Sequence, residues 1–255
     1  MIHIPKVVGL IQVRSGSSRL PNKATLQLGR QRAIEHVIER AMRSKRLAHV
    51  VLCTTPLAED DALVGLAQAA GIGAYRGSED DVLARFLGAA QVFAADVLVR
   101  ITGDSPLVEP VLVDAAIEAH LTTGADYTYT PGLPVGAWIE VFDRAALALA
   151  YRLAEDPSRS EDVTLFLRRP EVFHVHAFRA PDDYIAPEVV VALNRPEDYA
   201  VLGEIFQALD SATRPVELAE AIRYYRKNPR LMALNGIYTP TPSQCNTRLL
   251  LERLG

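Results

Sequence analysis

Val7-Val-Gly-Leu-Ile-Gln-Val13 runs without a break into Arg14-Ser-Gly-Ser-Ser-Arg-Leu-Pro-Asn-Lys23, so a strand-length apolar run feeds a loop dense in charge and hydroxyls. A near-continuous Val/Ile/Leu run describes a strand buried on both faces, as parallel strands are when helices cover the sheet. Outward from it, similar runs stand at His49–Thr54, Ile72–Arg76 and Asp96–Ile101. Helix-like stretches at Arg32–Ser44, Glu59–Ala70, Asp80–Phe93 and Glu109–Thr122 fall between or after them. This alternation predicts an α/β fold with an open, mostly parallel sheet flanked by helices.

Local chemistry supports the boundaries. Ser78 before Glu79-Asp-Asp81 offers a cap oxygen and acidic groups at a helix start, and Gly71 is placed to close the preceding helix in a left-handed conformation. From Asp126 the pattern changes. Asp126–Thr130 and Ala137–Phe142 read as strands around the turn Pro131–Gly136, Asp143–Glu155 as a helix and Val172–Arg179 as a strand. Residues 126–180 are therefore expected to form an insertion or arm within one domain spanning 1–255. Arg195–Leu209 and Pro215–Lys227 read as further helices.

With 255 residues, 49% hydrophobic and 23% charged, the chain has the composition of an ordinary globular protein and ample material for a core. A net charge of −4 argues against a nucleic-acid binder, which needs a basic face. Cys53 lies in an apolar run and Cys245 far from it, so no disulfide framework or zinc site is indicated. Neither a leader of signal-peptide type nor an apolar stretch of about 18 residues is present, and a soluble cytoplasmic protein without membrane association is expected.

In open parallel sheets ligands bind beyond the carboxyl ends of the strands, which directs attention to the segments after Val13 and after Ile101. In the first, Gly16 permits close backbone approach, and Val13, Ser15, Gly16 and Ser17 offer N–H and hydroxyl donors. Arg14, Arg19 and Lys23 can neutralise a triphosphate. The loop is neither a Walker A loop nor a dinucleotide fingerprint. The plainer alternative is a solvated connection. The second segment, Arg100-Ile-Thr-Gly-Asp104-Ser-Pro-Leu107, puts Asp104 at the sheet's carboxyl edge, where one carboxylate is enough to anchor a Mg²⁺ bridging phosphate oxygens. A turn cap is the plainer alternative here.

Together the two segments resemble the sugar-activating cytidylyltransferases, including those acting on acylneuraminate and 3-deoxy-manno-octulosonate. The likeness is greatest to the branch of spore coat polysaccharide biosynthesis. That branch shows an RxGSxRLPxK loop, matched by Arg14–Lys23, and a fragment like RITGDCPL, matched by Arg100–Leu107 with Ser105 at the cysteine position. Glu35–Arg40, Glu59–Asp61 and Arg76–Leu83 follow the family order.

The resemblance implies a Rossmann-like sheet of the nucleotide-diphospho-sugar transferase type with a dimerisation arm. It also implies CTP and a sugar-like acceptor as substrates, Mg²⁺ as cofactor, a homodimer, and transfer of CMP with release of pyrophosphate. Arg14, Arg19, Lys23 and Asp104 would be catalytic. The nucleotide pocket would add Arg76, Gly77, Ser78, Thr102 and Gly103, with Arg85 directed toward the site from its helix.

Two departures stand out. Where the family carries a second metal-binding aspartate in a stretch like TVDxPEDY, this chain has Ala192-Leu-Asn194-Arg-Pro-Glu-Asp-Tyr199. Asn194 supplies an oxygen but no charge, leaving Asp104 and Asn194 as the expected metal side. Where the family often has GLDVEVF, Gly136–Phe142 retains Glu140 and replaces an acidic residue by Trp138, for which packing is the first expectation. Trp138, Glu140 and Glu161 are the expected acceptor-side residues. His174 and His176 share one side of a strand but lack a third ligand. Two alternatives stay open: a non-catalytic nucleotide-binding homologue, and a glycosyltransferase consuming a nucleotide-sugar.

Overall fold

The computed structural model describes residues 4–17, 19–158, 160, 162–210, 214–236 and 249–250. Among them the strands are β1 (Val7–Gln12), β2 (Gln27–Leu28), β3 (Gln31–Arg32), β4 (His49–Thr54), β5 (Gly73–Arg76), β6 (Val97–Thr102), β7 (Tyr127–Tyr129), β8 (Glu140–Asp143) and β9 (Val175–Ala177). The helices are α1 (Ala33–Met42), α2 (Asp61–Ala69), α3 (Val82–Val92), α4 (Pro110–Thr123), α5 (Arg144–Leu153), α6 (Pro196–Leu209), α7 (Leu218–Lys227) and α8 (Pro229–Asn235).

Seven strands form one sheet in the order β5-β4-β1-β6-β8-β7-β9, while β2 and β3 make a separate small hairpin. β1 lies between β4 and β6, parallel to both, which explains its unbroken apolar sequence. Its side chains alternate between two cores. Val7, Ile11 and Val13 pack with α1, α4 and α6, whereas Val8 and Leu10 pack with α3 and α5. β6 repeats the pattern with Val97, Val99 and Ile101 on the first side and Leu98 on the second. Arg100 and Thr102 therefore follow Leu98 onto the α3/α5 face, and this parity directs Arg100 toward β8.

The expected mostly parallel sheet is thus found. The strands from residues 126–180 extend it, β8 running antiparallel to both β6 and β7, and β9 parallel to β7. The expected strands Ala137–Phe142 and Val172–Arg179 are shorter, reduced to Glu140–Asp143 and Val175–Ala177. Ahead of β8 the Ile139 N–H is spent on the Thr130 hydroxyl at 2.9 Å. α3 starts at Val82 and is capped by Asp81, whose carboxylate accepts the Ala84 N–H at 2.8 Å, in place of the expected Ser78 cap. Ser78 instead accepts the Asp81 N–H at 3.1 Å and shapes the preceding turn. Gly71 does close α2 with φ of +72°. Cys53 is fully buried, and burial pushes its thiol up to about 12, as suits a packing residue. Cys245 lies outside the described residues, and no described helix is long and apolar enough to cross a membrane.

Candidate active site

The carboxyl ends of β1, β4, β5 and β6 lie side by side, so the loops after them share one edge of the sheet. At the end of β6, Gly103 donates its N–H to the Gln12 carbonyl at 2.9 Å, and a Cβ there would stand 2.6 Å from that of Val13. Only glycine lets the two segments approach so closely.

The centre is a meeting of three residues far apart in sequence. Lys23 Nζ donates to Asp104 Oδ2 at 2.6 Å and to Asn194 Oδ1 at 2.9 Å. Asn22, at φ of +54°, turns the chain after Pro21 so that Lys23 begins a short 3₁₀ turn above the sheet edge. Because an ammonium can only donate, the side of Asn194 facing it must be the carbonyl oxygen. The side chains of Lys23 and Asp104 are 18% and 21% exposed, so the pair is partly open to solvent. Burial pushes the Asp104 carboxyl upward, but the charge and hydrogen bond of Lys23, the Thr102 hydroxyl and Arg100 hold it below the ordinary carboxylate range. The Leu193 N–H donates to the Asp104 carbonyl at 2.8 Å, tying the two sides of the site together through the backbone.

Asn194 is held from behind. The buried Asp198 accepts the N–H groups of Asn194 at 3.2 Å and Arg195 at 2.9 Å. Asn235, at the end of α8, donates to Asp198 at 3.2 Å and accepts from the Tyr225 hydroxyl of α7 at 2.8 Å.

The Arg14–Lys23 loop is pinned at its start. Arg14 pairs with Glu79 at 2.8 Å across to the loop after β5. The Ser15 N–H goes to Asp60 at 2.7 Å and its hydroxyl to the Glu59 carbonyl at 2.9 Å. Ser17 accepts the Leu20 N–H at 3.4 Å, and Arg19 is exposed. Beside them Arg76 pairs with Asp61, and the Gly77 N–H donates to the Thr54 carbonyl at 3.0 Å. Arg85 is buried under this loop and donates to the Ser78 carbonyl at 2.9 Å, acting as a brace for residues 77–78. Thr102 shares a 2.6 Å hydrogen bond with Ser105, closing the turn that carries Asp104.

On the side toward β8, Glu140 is buried with both oxygens engaged. Oε2 accepts from Arg100 at 2.8 Å, and Oε1 accepts from the Tyr127 hydroxyl at 2.6 Å and from Arg168 at 3.0 Å. Arg168, 43% exposed, also donates to the Tyr127 hydroxyl at 3.0 Å and lies 5.2 Å over the Tyr129 ring. Glu140 is thus a buried anchor, and Arg168 is the member of the group that reaches solvent. Trp138 is not packed away as expected. It is 47% exposed, with its indole N–H on the Leu133 carbonyl at 3.3 Å, because the loop bends sharply at Gly136. Gly136 has φ of +92°, and a Cβ there would meet the Ala192 backbone nitrogen at 2.4 Å. Glu161 lies outside the described residues. His174 is engaged with the Gly124 carbonyl at 3.1 Å, and no group of three metal-ligating His, Cys, Asp or Glu occurs among the described residues.

Of the residues expected from sequence, the structure joins Lys23, Asp104 and Asn194 directly, and it adds Asp60, Tyr127 and Arg168, which the motifs do not single out. Asp60 stood in plain view within Glu59-Asp-Asp61, where an aspartate reads first as a helix cap. Arg168 had a weaker signal: a carboxylate inside a largely apolar run, as Glu140 is within Ala137–Phe142, requires cationic partners once buried.

A family model described as cytidylyltransferase matches residues 8–201. An uncharacterised protein of Methanocaldococcus jannaschii is 35% identical over 233 residues, covering 91% of this chain and 95% of its own length. The spore coat polysaccharide biosynthesis protein SpsF of Bacillus subtilis is 33% identical over 230 residues, covering 88% and 95%. Among solved structures, a cytidylyltransferase from Leptospira borgpetersenii superposes with a TM-score of 0.82 at 28% identity, covering 92% of this chain and all of that one. With the loop, the β6 turn and the sheet all in the expected places, the chain belongs to the cytidylyltransferase family.

Proposed function

We propose that this protein transfers CMP from CTP to a hydroxyl of a sugar-like acceptor, releasing pyrophosphate, in the synthesis of a surface polysaccharide. The observation that carries the reading is the convergence of Lys23, Asp104 and Asn194 at the sheet edge beneath the Arg14–Lys23 loop. The acceptor oxygen would bond to the α-phosphorus as the bond to the β-phosphate oxygen breaks, the hydroxyl proton passing to solvent. Arg14, Arg19 and Lys23 would offset the charge that grows on the departing pyrophosphate, so positioning and electrostatics supply the rate. No covalent intermediate on the protein is required. The name of the Bacillus relative supports the link to polysaccharide synthesis.

The oxygens of Asp104 and Asn194 already meet at one cation, the Lys23 ammonium, and hard oxygen donors of this kind suit Mg²⁺. Asp104 and Asn194 would hold that ion, which when bound draws electron density from phosphate oxygens. Lys23 would then be free to turn toward the triphosphate. On the acceptor side, Arg168 fits an anionic group, since hydrogen bonds and the Tyr129 ring fix its guanidinium while part of it stays open to solvent.

Purified protein incubated with CTP, Mg²⁺ and a panel of acidic sugars is expected to release pyrophosphate with at least one acceptor. Binding of CTP without turnover on any of them would favour the non-catalytic homologue. Asn194→Asp restores the second carboxylate and is expected to lower the Mg²⁺ concentration for half-maximal rate about tenfold. An unchanged Mg²⁺ response would remove Asn194 from the metal side.

A further inference from the structure

Asp60 is fully buried, yet it serves neither the core nor its own helix. It occupies the residue before α2, where an aspartate ordinarily caps the first turn, but its side chain makes no capping hydrogen bond. The carboxylate is turned instead toward the ends of β1 and β4. Oδ1 accepts the Ser15 N–H at 2.7 Å, while Oδ2 accepts the Thr54 hydroxyl at 2.7 Å, the Thr55 N–H at 3.1 Å and the Thr55 hydroxyl at 2.5 Å. An ionised carboxylate is acceptor-only, and this one gathers four donors, three on Oδ2 and one on Oδ1.

We propose that Asp60 is the positioning residue of the nucleotide loop, locking residues 14–17 to the end of β4 so that the triphosphate-binding turn is formed before any nucleotide arrives. The proposal rests on the reading of Arg14–Lys23 as a triphosphate loop. It assigns Ser15 a different part from that of a phosphate donor, because its N–H is taken by Asp60 and its hydroxyl by the Glu59 carbonyl. The N–H groups of Gly16 and Ser17, which make no backbone hydrogen bond among the described residues, become the loop's phosphate donors. A loop held in this way has less conformational freedom to lose when an anion binds, and pre-organisation of this kind raises affinity without adding a contact to the ligand. Burial pushes the Asp60 carboxyl upward, but the hydrogen bonds from Thr55, Ser15 and Thr54 outweigh it and hold it below the ordinary range, so the latch is ionised at neutral pH.

The test compares the full-length wild type with Asp60→Asn and Thr54→Val. The first keeps shape but turns an N–H toward a donor. The second removes a single hydroxyl from a strand position that valine suits, so it retains the fold if Asp60→Asn does not. Expected for Asp60→Asn is a rise of about tenfold or more in KM for CTP and in Kd for inorganic tripolyphosphate, with a smaller change in kcat. Thr54→Val should move both the same way by about threefold. Cytidine affinity should stay unchanged, and hydrogen exchange at the Ser15 amide should speed up in both variants without ligand while β1 and β6 stay protected. Unchanged tripolyphosphate affinity and Ser15 exchange in the variants, or a loss confined to kcat, would overturn the assignment of Asp60 alone. A wild type that binds neither CTP nor tripolyphosphate would overturn the loop reading, and the positioning role with it.

Discussion

Asp104→Ala is expected to lower the rate of pyrophosphate release by about 10³-fold, in line with the removal of one pre-organised charged group from a phosphoryl-transfer site. Asp104 is the carboxylate that meets Lys23, which Asn194 also joins through its amide oxygen. Its loss removes the negative charge paired with Lys23, and Asn194 brings an oxygen but no charge in compensation. Lys23 keeps the Asn194 carbonyl as an acceptor, and the carboxylate removed is itself 21% exposed, so the folded state should lose only about 1–2 kcal/mol. Activity and stability thus separate, and parallel measurement of initial rates and urea midpoints reads both. Residual activity within tenfold of wild type would mean that the chemistry is centred elsewhere.

Glu140→Ala should have the opposite profile, with the largest effect on stability. Glu140 joins Arg100, Tyr127 and Arg168 at the seam where the parallel half of the sheet meets its antiparallel half. Truncation takes from the Arg100 guanidinium its ion-pair partner in a site where its side chain is 16% exposed and that of Glu140 is 5% exposed, and breaking a buried pair from one side costs about 3–5 kcal/mol. The melting temperature should fall by roughly 10 °C, and a fall of under 2 °C would contradict the account. Burial pushes the Glu140 carboxyl upward, but Arg100, the Tyr127 hydroxyl, Arg168 and Thr164 together hold it below the ordinary glutamate range. Its contribution is therefore complete above the unfolded-state value of about 4.3 and is lost as pH falls through the lower folded value. Glu140→Gln should flatten that acid limb of the stability curve.

The two residues also show what a linear sequence discloses. Asp104 was legible because it follows a buried strand and precedes a proline, and the ends of parallel strands are where ligands collect. The parallel core was legible because β1, β4 and β6 are covered on both faces and have little freedom in composition. The hairpin of β2 and β3 has only two-residue strands, too short for any periodicity to register. The meeting of Lys23 with Asn194 spans 171 residues, and nothing local to either announces the other. Asp60 was hidden for a different reason. Its position before a helix already has an ordinary explanation, and only the direction of its carboxylate shows that the explanation does not apply.

The family match ends at residue 201, within α6, whereas the chain of hydrogen bonds behind Asn194 runs on through Asp198 to Asn235 and Tyr225. The stretch that identifies the lineage and the stretch that must fold to hold the site are therefore not the same length. Tyr225→Phe in α7 or Asn235→Ala in α8 would loosen the support of Asn194 without altering any motif residue. A core grafted without these C-terminal helices would carry every motif residue and lack the hydrogen bonds that hold Asn194 from behind.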